Sequence, residues 1–255
     1  VLRVPITFPP EKFNGVCLSG MCVPDLKGSQ GTFSFYTTNK EKAKKLTGGI
    51  SYELERDGNT IKGYLSGPMN TFLKKEEELR LPFLIHLREN SNEVELELPD
   101  KRIKLKRGEY SDWIKVIFRP GLGIKVNGIC RFLVTQISPH FEMYVTPVNI
   151  DPEKPALPIS HPFIYSIYLA KLLGNFITLG LANDTWALNE GVLDDEAFLK
   201  QCYLNHKDWE KVLFNSLNKM KKGLCVCVFE TTDSIQHMFW RYLEKDHPAL
   251  RNKKI

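Results

Sequence analysis

Apolar and polar residues alternate through most of the stretch from about residue 28 to residue 149. The two alternating runs 50–56 and 60–65 lie on either side of Asp57-Gly58-Asn59, an arrangement typical of a β-hairpin. Runs 83–87 and 93–98 form a second such pair, and the alternation continues at residues 103–106, 114–118, 124–126 and 129–134. Short strands at this regular spacing predict an antiparallel sandwich or a barrel-like subdomain.

The pattern becomes helical after the proline-rich segment 151–162. Residues 163–173 have helical spacing with Gly174 as a C-cap, and residues 194–220 carry two more helices, the second capped by Asp208. The apolar run 224–228 predicts a buried strand, and residues 234–244 predict a final helix.

A helix, a buried strand and a second helix make an α/β element. We therefore predict an α/β domain formed by residues 1–27 and 151–255, with an antiparallel all-β subdomain, residues 28–150, inserted into it.

Composition narrows the class of protein. The chain has 255 residues, 42% of them apolar and 25% charged, and its net charge of +5 is spread along the sequence, so we expect no nucleic-acid partner. No run reaches the roughly 18 apolar residues of a membrane-spanning helix. Six cysteines without a CxxC or a zinc-finger spacing predict free thiols in a reducing compartment, hence a cytoplasmic location.

Asp233 and His237 are the first candidates for chemistry, because they lie four residues apart just past the predicted strand 224–228. Residues at this spacing share one helix face and can converge on one metal ion, and ligands often gather at the carboxyl ends of strands in α/β sheets. Alternatively, Asp233 is the N-cap of the helix that starts at Ser234, and His237 is a partly buried helix residue. A zinc site needs at least three protein ligands, so the pair alone is incomplete.

The segment around this pair, residues 228–242, reads VFETTDSIQHMFWRY. It resembles the type I phosphodiesterase/nucleotide pyrophosphatase branch of the alkaline phosphatase superfamily, in which a hydrophobic strand leads into an Asp-x-x-x-His metal pair. Residues 4–20, with Pro9-Pro10-Glu11, Asn14-Gly15 and Leu18-Ser19-Gly20, and residues 184–191, DTWALNEG, resemble the same group in the same order. The resemblance implies an alkaline-phosphatase-like sheet with flanking helices, of which this chain carries an incomplete part.

The resemblance also implies a metal-dependent hydrolase of phosphodiesters or phosphate esters, acting on a small molecule and using two divalent metals, usually zinc, with manganese as an alternative. Asp233 and His237 would bind one metal, so this chain would supply ligands for only one of the two. The nucleophilic Thr or Ser is expected upstream of Val1 and the remaining ligands downstream of Ile255. No catalytic residue is therefore assigned within the chain, and we expect the chain to be inactive by itself.

Four further residues are candidates for substrate binding. Asn14 would lie on the approach of the phosphate, His161 at the mouth of the cleft, and Asp184 and Trp186 in its wall. Each has an ordinary alternative, such as a loop position or a packed indole. Two other functions remain open: the β region as a non-catalytic binding or oligomerisation module, and a phosphotransferase or mutase of the same superfamily.

Overall fold

The structure is a computed structural model, and it describes residues 8–12, 14–44, 46–72, 77–88 and 90–248. Within these residues the fold is mixed α/β, with many strands in several sheets and few helices. The strands are β1 (Cys17–Leu18), β2 (Phe33–Thr37), β3 (Gly49–Glu53), β4 (Glu55–Asp57), β5 (Thr60–Asn70), β6 (Glu77–Leu87), β7 (Glu93–Leu98), β8 (Lys101–Lys106), β9 (Ile114–Gly121), β10 (Ile124–Cys130), β11 (Phe132–Gln136), β12 (Glu142–Val145), β13 (Asn149–Ile150) and β14 (Ser160–His161). The helices are α1 (Ile164–Leu173), α2 (Thr185–Asn189), α3 (Asp195–Lys219) and α4 (Thr231–Phe239).

The largest sheet has five strands in the order β4-β5-β6-β7-β8, all of them antiparallel. The second predicted hairpin is confirmed, because β6 pairs with β7, and the first is confirmed in part, because β4 turns into β5 at Gly58 and Asn59. Gly58 has a φ of +57°, which a glycine adopts without steric cost. The alternation directs Ile61, Ile85 and Leu96 into the interior, where each is fully buried.

Two predicted strands are each divided between different sheets. The run 50–56 becomes β3, which pairs in parallel with β2, and β4, which pairs with β5. Between them Leu54 is buried, and its N–H donates to the Thr37 carbonyl at 2.8 Å. The run 129–134 is likewise broken at Arg131, which separates β10 from β11. At each break the residue between the two strands, Leu54 or Arg131, is buried.

The main hydrophobic core belongs to the β region. One face of the five-stranded sheet packs against residues of β2 and of β9 to β12, and the largest buried side chains of this cluster are Tyr36, Phe118, Phe132 and Phe141. A second core surrounds α1 and α3 and includes Leu169, Phe176, Trp209 and Val212. A third cluster of Phe33, Tyr144, Ala187 and Leu193 joins the β region to α2 and the start of α3.

The helix predicted at residues 163–173 is confirmed as α1, and its C-cap is Gly174 with a φ of +84°. The prediction of two helices between 194 and 220 is wrong, because α3 runs unbroken through this segment. Its N-cap is Asp194, whose Oδ1 accepts the Ala197 N–H at 2.7 Å. Asp208 is no cap: it is buried in the middle of the helix and accepts a hydrogen bond from the Trp113 indole at 2.8 Å.

The predicted buried strand 224–228 is also wrong, since the described residues contain no strand there. Leu224 is 73% exposed, while Cys225, Cys227 and Phe229 are partly buried and pack against the α1–α3 core. Side-chain packing against this core helps to hold the segment. The final helix is shorter than predicted, because α4 covers Thr231–Phe239 and a single 3-10 turn, Trp240–Tyr242, follows it.

β1 and β14 form a two-stranded sheet in which Cys17 faces His161 and Leu18 faces Ser160. The chain therefore enters the β region after β1 and exits it before β14, and these two strands lie side by side. All six cysteines are free thiols, as predicted. No helix in the described ranges has the length and apolar character needed to cross a membrane.

Candidate functional site

The α4 helix carries both predicted metal ligands and is fixed to the molecule by its opposite face. Ile235, Met238 and Phe239 pack against Leu188, Phe198 and Cys202, and the Phe198 and Phe239 rings are 6.0 Å apart. Positions 233 and 237 lie about half a helical turn away from that apolar stripe. The packing of α4 therefore turns Asp233 and His237 outward.

Asp233 Oδ1 and His237 Nε2 are 3.3 Å apart, and the two side chains are 75% and 76% exposed. The helix begins earlier than predicted, with Glu230 as its N-cap residue, so Asp233 is in the first turn and is not the N-cap. The carboxylate lies where the helix dipole favours a negative charge, and the imidazole lies in the last turn. The expectation of a partly buried His237 is therefore not met either.

The separation of the two donors fits one tetrahedral metal ion. Donors each about 2.1 Å from a tetrahedral zinc are about 3.4 Å apart, whereas donors at right angles in an octahedral site are about 3.0 Å apart. An ordinary ion pair at positions i and i+4 also has this spacing. No group of three or more His, Cys, Asp or Glu side chains placed to bind a metal occurs among the described residues.

A chain of buried amides connects α4 to α3 and to the segment that follows α1. Asn205 on α3 donates to Ala182 O at 3.1 Å and to Asn183 Oδ1 at 3.0 Å. Asn183 in turn donates through Nδ2 to Ser234 Oγ at 3.0 Å. Because Ser234 directly follows Asp233, these hydrogen bonds hold the first turn of α4 in place.

Asp184 has a structural role that the sequence analysis did not predict. Its Oδ1 accepts the Ala187 N–H at 3.0 Å, which caps α2, and its Oδ2 accepts the Tyr144 hydroxyl at 2.8 Å. Gln201 completes the cluster by accepting the Asp184 N–H and donating to the Tyr144 oxygen, each at 2.8 Å. Asp184 thus joins β12, α2 and α3.

The electrostatics of this cluster favour its neutral form. Burial raises the pKa of Asp184 to about 7, although the hydrogen bonds from Tyr144 and Ala187 oppose that effect. Burial also raises the pKa of the Tyr144 hydroxyl well above its ordinary value, so this group stays protonated and can donate. Burial therefore shifts the titration of the Asp184 carboxyl towards neutral pH.

The structure brings together only some of the predicted substrate-binding residues. Asp184 and Trp186 line one groove of about 470 Å³ with Asn183, while Asn14 lines a different cavity of about 630 Å³ between α1 and the end of α3. His161 lies on β14, opposite Cys17, and lines neither. Pro9, Pro10 and Glu11 are described, but the part of the first motif at residues 4–7 lies outside the described residues.

The buried polar residues of α3 were missed, although the sequence contains a signal for them. Gln201, Asn205 and Asp208 recur at helical spacing within the same stripe as Phe198, Cys202 and Trp209, and all six are buried. Polar residues in an otherwise apolar stripe indicate specific hydrogen bonds, because an unpaired buried polar group is costly. The spacing shows that partners exist but does not identify them.

Comparison with models of protein families, with curated proteins and with solved structures found no match to this chain. The resemblance to the phosphodiesterase group therefore stays a prediction from the motifs.

Proposed function

We propose that Asp233 and His237 are two of the ligands of a divalent metal in a hydrolase of phosphodiesters or phosphate esters. The observation that carries this proposal is the 3.3 Å separation of Asp233 Oδ1 and His237 Nε2, which suits two ligands of a tetrahedral zinc. The motif around the pair, which resembles the nucleotide pyrophosphatase/phosphodiesterase group, suggests the reaction.

The surroundings of the pair support a site that is completed by other groups. Both side chains are about three quarters exposed, so each keeps open space for a metal and further ligands. Their helix is fixed from behind by the packing of Ile235 and Phe239 and by the Asn183–Ser234 hydrogen bond. Such support holds the backbone positions of the two residues one helical turn apart on the same face of α4.

The two residues would bind the metal through the Asp233 carboxylate and the His237 Nε2. When bound, a divalent metal neutralises negative charge on the phosphoryl oxygens and orients the phosphate for in-line attack. The helical backbone of α4 would place the carboxylate and the imidazole on the same side of the helix. We propose that the nucleophile, the third ligand and the second metal site come from residues outside those described.

Zinc binding by the 255-residue chain tests the proposal. We expect added zinc to shift the His237 imidazole resonances. Competition with a chromophoric chelator measures the affinity, and Asp233→Ala or His237→Ala should weaken zinc binding at least about tenfold. The matched control is His206→Ala, because His206 and Glu210 form another i,i+4 pair with Nε2 and Oε1 at 3.8 Å. Equal zinc affinity in all four proteins would show that the Asp233–His237 pair is only an ion pair.

Activity is the second test. We expect no turnover of a nitrophenyl phosphodiester by this chain alone, and metal-dependent turnover by a longer protein that supplies the remaining ligands. In that longer protein Asp233→Ala and His237→Ala should each abolish turnover while His206→Ala retains it. Undiminished turnover in both site variants would refute the proposal.

A further inference from the structure

A groove beside Trp186 has a lining unlike that of a phosphate site. The Trp186 groove is lined by residues 29–32, 47–50 and 181–186 and by Pro147, and its volume is about 470 Å³. Among the described residues that line it there is no Lys, Arg or His. Lys and Arg are frequent phosphate ligands in proteins, so a lining without them favours an uncharged ligand.

Trp186 supplies an aromatic surface that is both exposed and fixed. Its side chain is 52% exposed, yet a Cβ atom placed on Gly48 would lie 2.2 Å from Trp186 Cβ and 2.4 Å from Cγ. The indole base therefore rests directly on the backbone of Gly48, where no other residue fits without displacing it. Glu190 ties the same loop to α2 by accepting the Thr47 N–H at 2.5 Å.

Two parts of the lining are held by hydrogen bonds to buried side chains. Asp25, which is buried, accepts the N–H groups of Lys27, Ser29 and Thr32, each at 2.9 Å, and so holds the loop at residues 29–32. Asn205 and Gln201 hold residues 182–184 through the hydrogen bonds described above. A groove formed in advance binds a ligand without first ordering its own loops.

The lining of the groove includes polar side chains. Thr47 and Thr185 form hydrogen bonds through their backbone N–H groups, and their hydroxyls line the groove together with the Gln30 amide. Hydroxyls donate and accept, and an amide offers both an oxygen and an NH₂ group. Both oxygens of Asp184, by contrast, already accept hydrogen bonds from the protein.

We infer that the Trp186 groove binds an uncharged sugar ring. The apolar face of C–H groups on such a ring would stack on the Trp186 indole, and the hydroxyls around its edge would bond to Gln30, Thr47 and Thr185. An aromatic surface with a few polar groups at its edge is the usual composition of a small-molecule site. This inference does not depend on metal binding by α4.

Saccharide titration of the full chain, followed by the indole N–H resonances of its four tryptophans, tests the inference. A neutral methyl pyranoside should shift the Trp186 resonance saturably, and an acyclic polyol should bind more weakly. Trp186→Ala should weaken pyranoside binding at least about tenfold, and Trp186→Phe should retain part of it. Trp240→Ala is the matched control, because Trp240 is also 52% exposed but bonds to Glu244 away from the groove.

Comparing the pyranoside with adenosine and adenine distinguishes a site for a sugar ring from a site for a nucleobase. Saturable binding of the pyranoside, alone or together with adenosine, supports a sugar site. Binding of adenosine and adenine with equal affinity, and no binding of the pyranoside, would mean that the indole stacks a base and would overturn the inference. The absence of a saturable shift with every saccharide, or an unchanged affinity in Trp186→Ala, would overturn it as well.

Discussion

Replacing Asp184 with asparagine should remove a pH dependence of stability that runs opposite to that of most carboxylates. The pKa of Asp184 is about 7 in the folded chain, against an ordinary value of 3.8. Between these two pH values the folded chain holds a proton that the unfolded chain has released. The free energy of unfolding must therefore fall as the pH rises through this window.

The size of the effect follows from the shift. A pKa raised from 3.8 to about 7 stabilises the fold fully below pH 3.8, and this contribution is lost once the pH exceeds about 7. One pKa unit corresponds to about 1.4 kcal/mol, so the loss between pH 5 and pH 8 is about 3 kcal/mol. Asparagine cannot titrate, and it is as good an N-cap for α2 as aspartate.

The assay is urea unfolding of the wild-type chain and of Asp184→Asn, followed by far-ultraviolet circular dichroism at pH 5, 6, 7 and 8. The difference between the two unfolding free energies should change by about 3 kcal/mol across this range, in favour of the variant at high pH. Burial also raises the pKa of Asp208, but this residue is present in both proteins and cancels in the difference. Asp100→Asn, at a side chain that is 62% exposed, is the surface control. A difference that stays constant with pH would refute the reasoning.

Two further predictions concern buried contacts. Arg131→Met should lower the free energy of unfolding by about 3–5 kcal/mol, because it leaves the buried Asp208 without the guanidinium that lies 3.6 Å away. In urea unfolding, the double variant Arg131→Met/Asp208→Leu should lose less free energy than the sum of the losses in the two single variants. Gly180→Ala should lower the free energy of unfolding by about 1–3 kcal/mol, since the new Cβ would lie 1.9 Å from the Met21 carbonyl oxygen. A wild-type urea midpoint for either Arg131→Met or Gly180→Ala would contradict the prediction for that residue.

The hairpins of the five-stranded sheet could be predicted because their signals are local. Gly58 and Asn59 form the tight turn, and alternation on both sides sets which residues point inward. The helix α1 is local in the same sense, since Gly174 ends it where the apolar spacing ends. Neither element needs a distant contact to be recognised from the sequence.

The errors arise where distant contacts decide. Residues 50–53 pair in parallel with β2, and no pattern within that run shows that it leaves the hairpin. Asp208 has the features of a cap in the sequence, but Trp113 and Arg131 satisfy it inside a continuous helix. Residues 224–228 have the composition of a strand, yet the described contacts of Cys225 and Cys227 are with the core around α1 and α3.

At the candidate site, too, local spacing predicts one feature and distant contacts decide the others. The i,i+4 spacing of Asp233 and His237 predicts that their side chains meet, and they do. The orientation of the pair could not be predicted, because it depends on which face of α4 packs against Phe198 and Cys202. The partners of Asp184 lie on β12 and α3, far apart in sequence, so the link between them appears only in the folded chain.

The pairing of β1 with β14 has a consequence for the order of folding. Cys17 and His161 are 144 positions apart, so closing that loop in an unstructured chain would cost about 4 kcal/mol in entropy. If the β region folds first, it brings the two strands near each other and removes most of that cost. The two-residue ladder between β1 and β14 should then be among the last contacts to form and the first to open, which amide hydrogen exchange would detect.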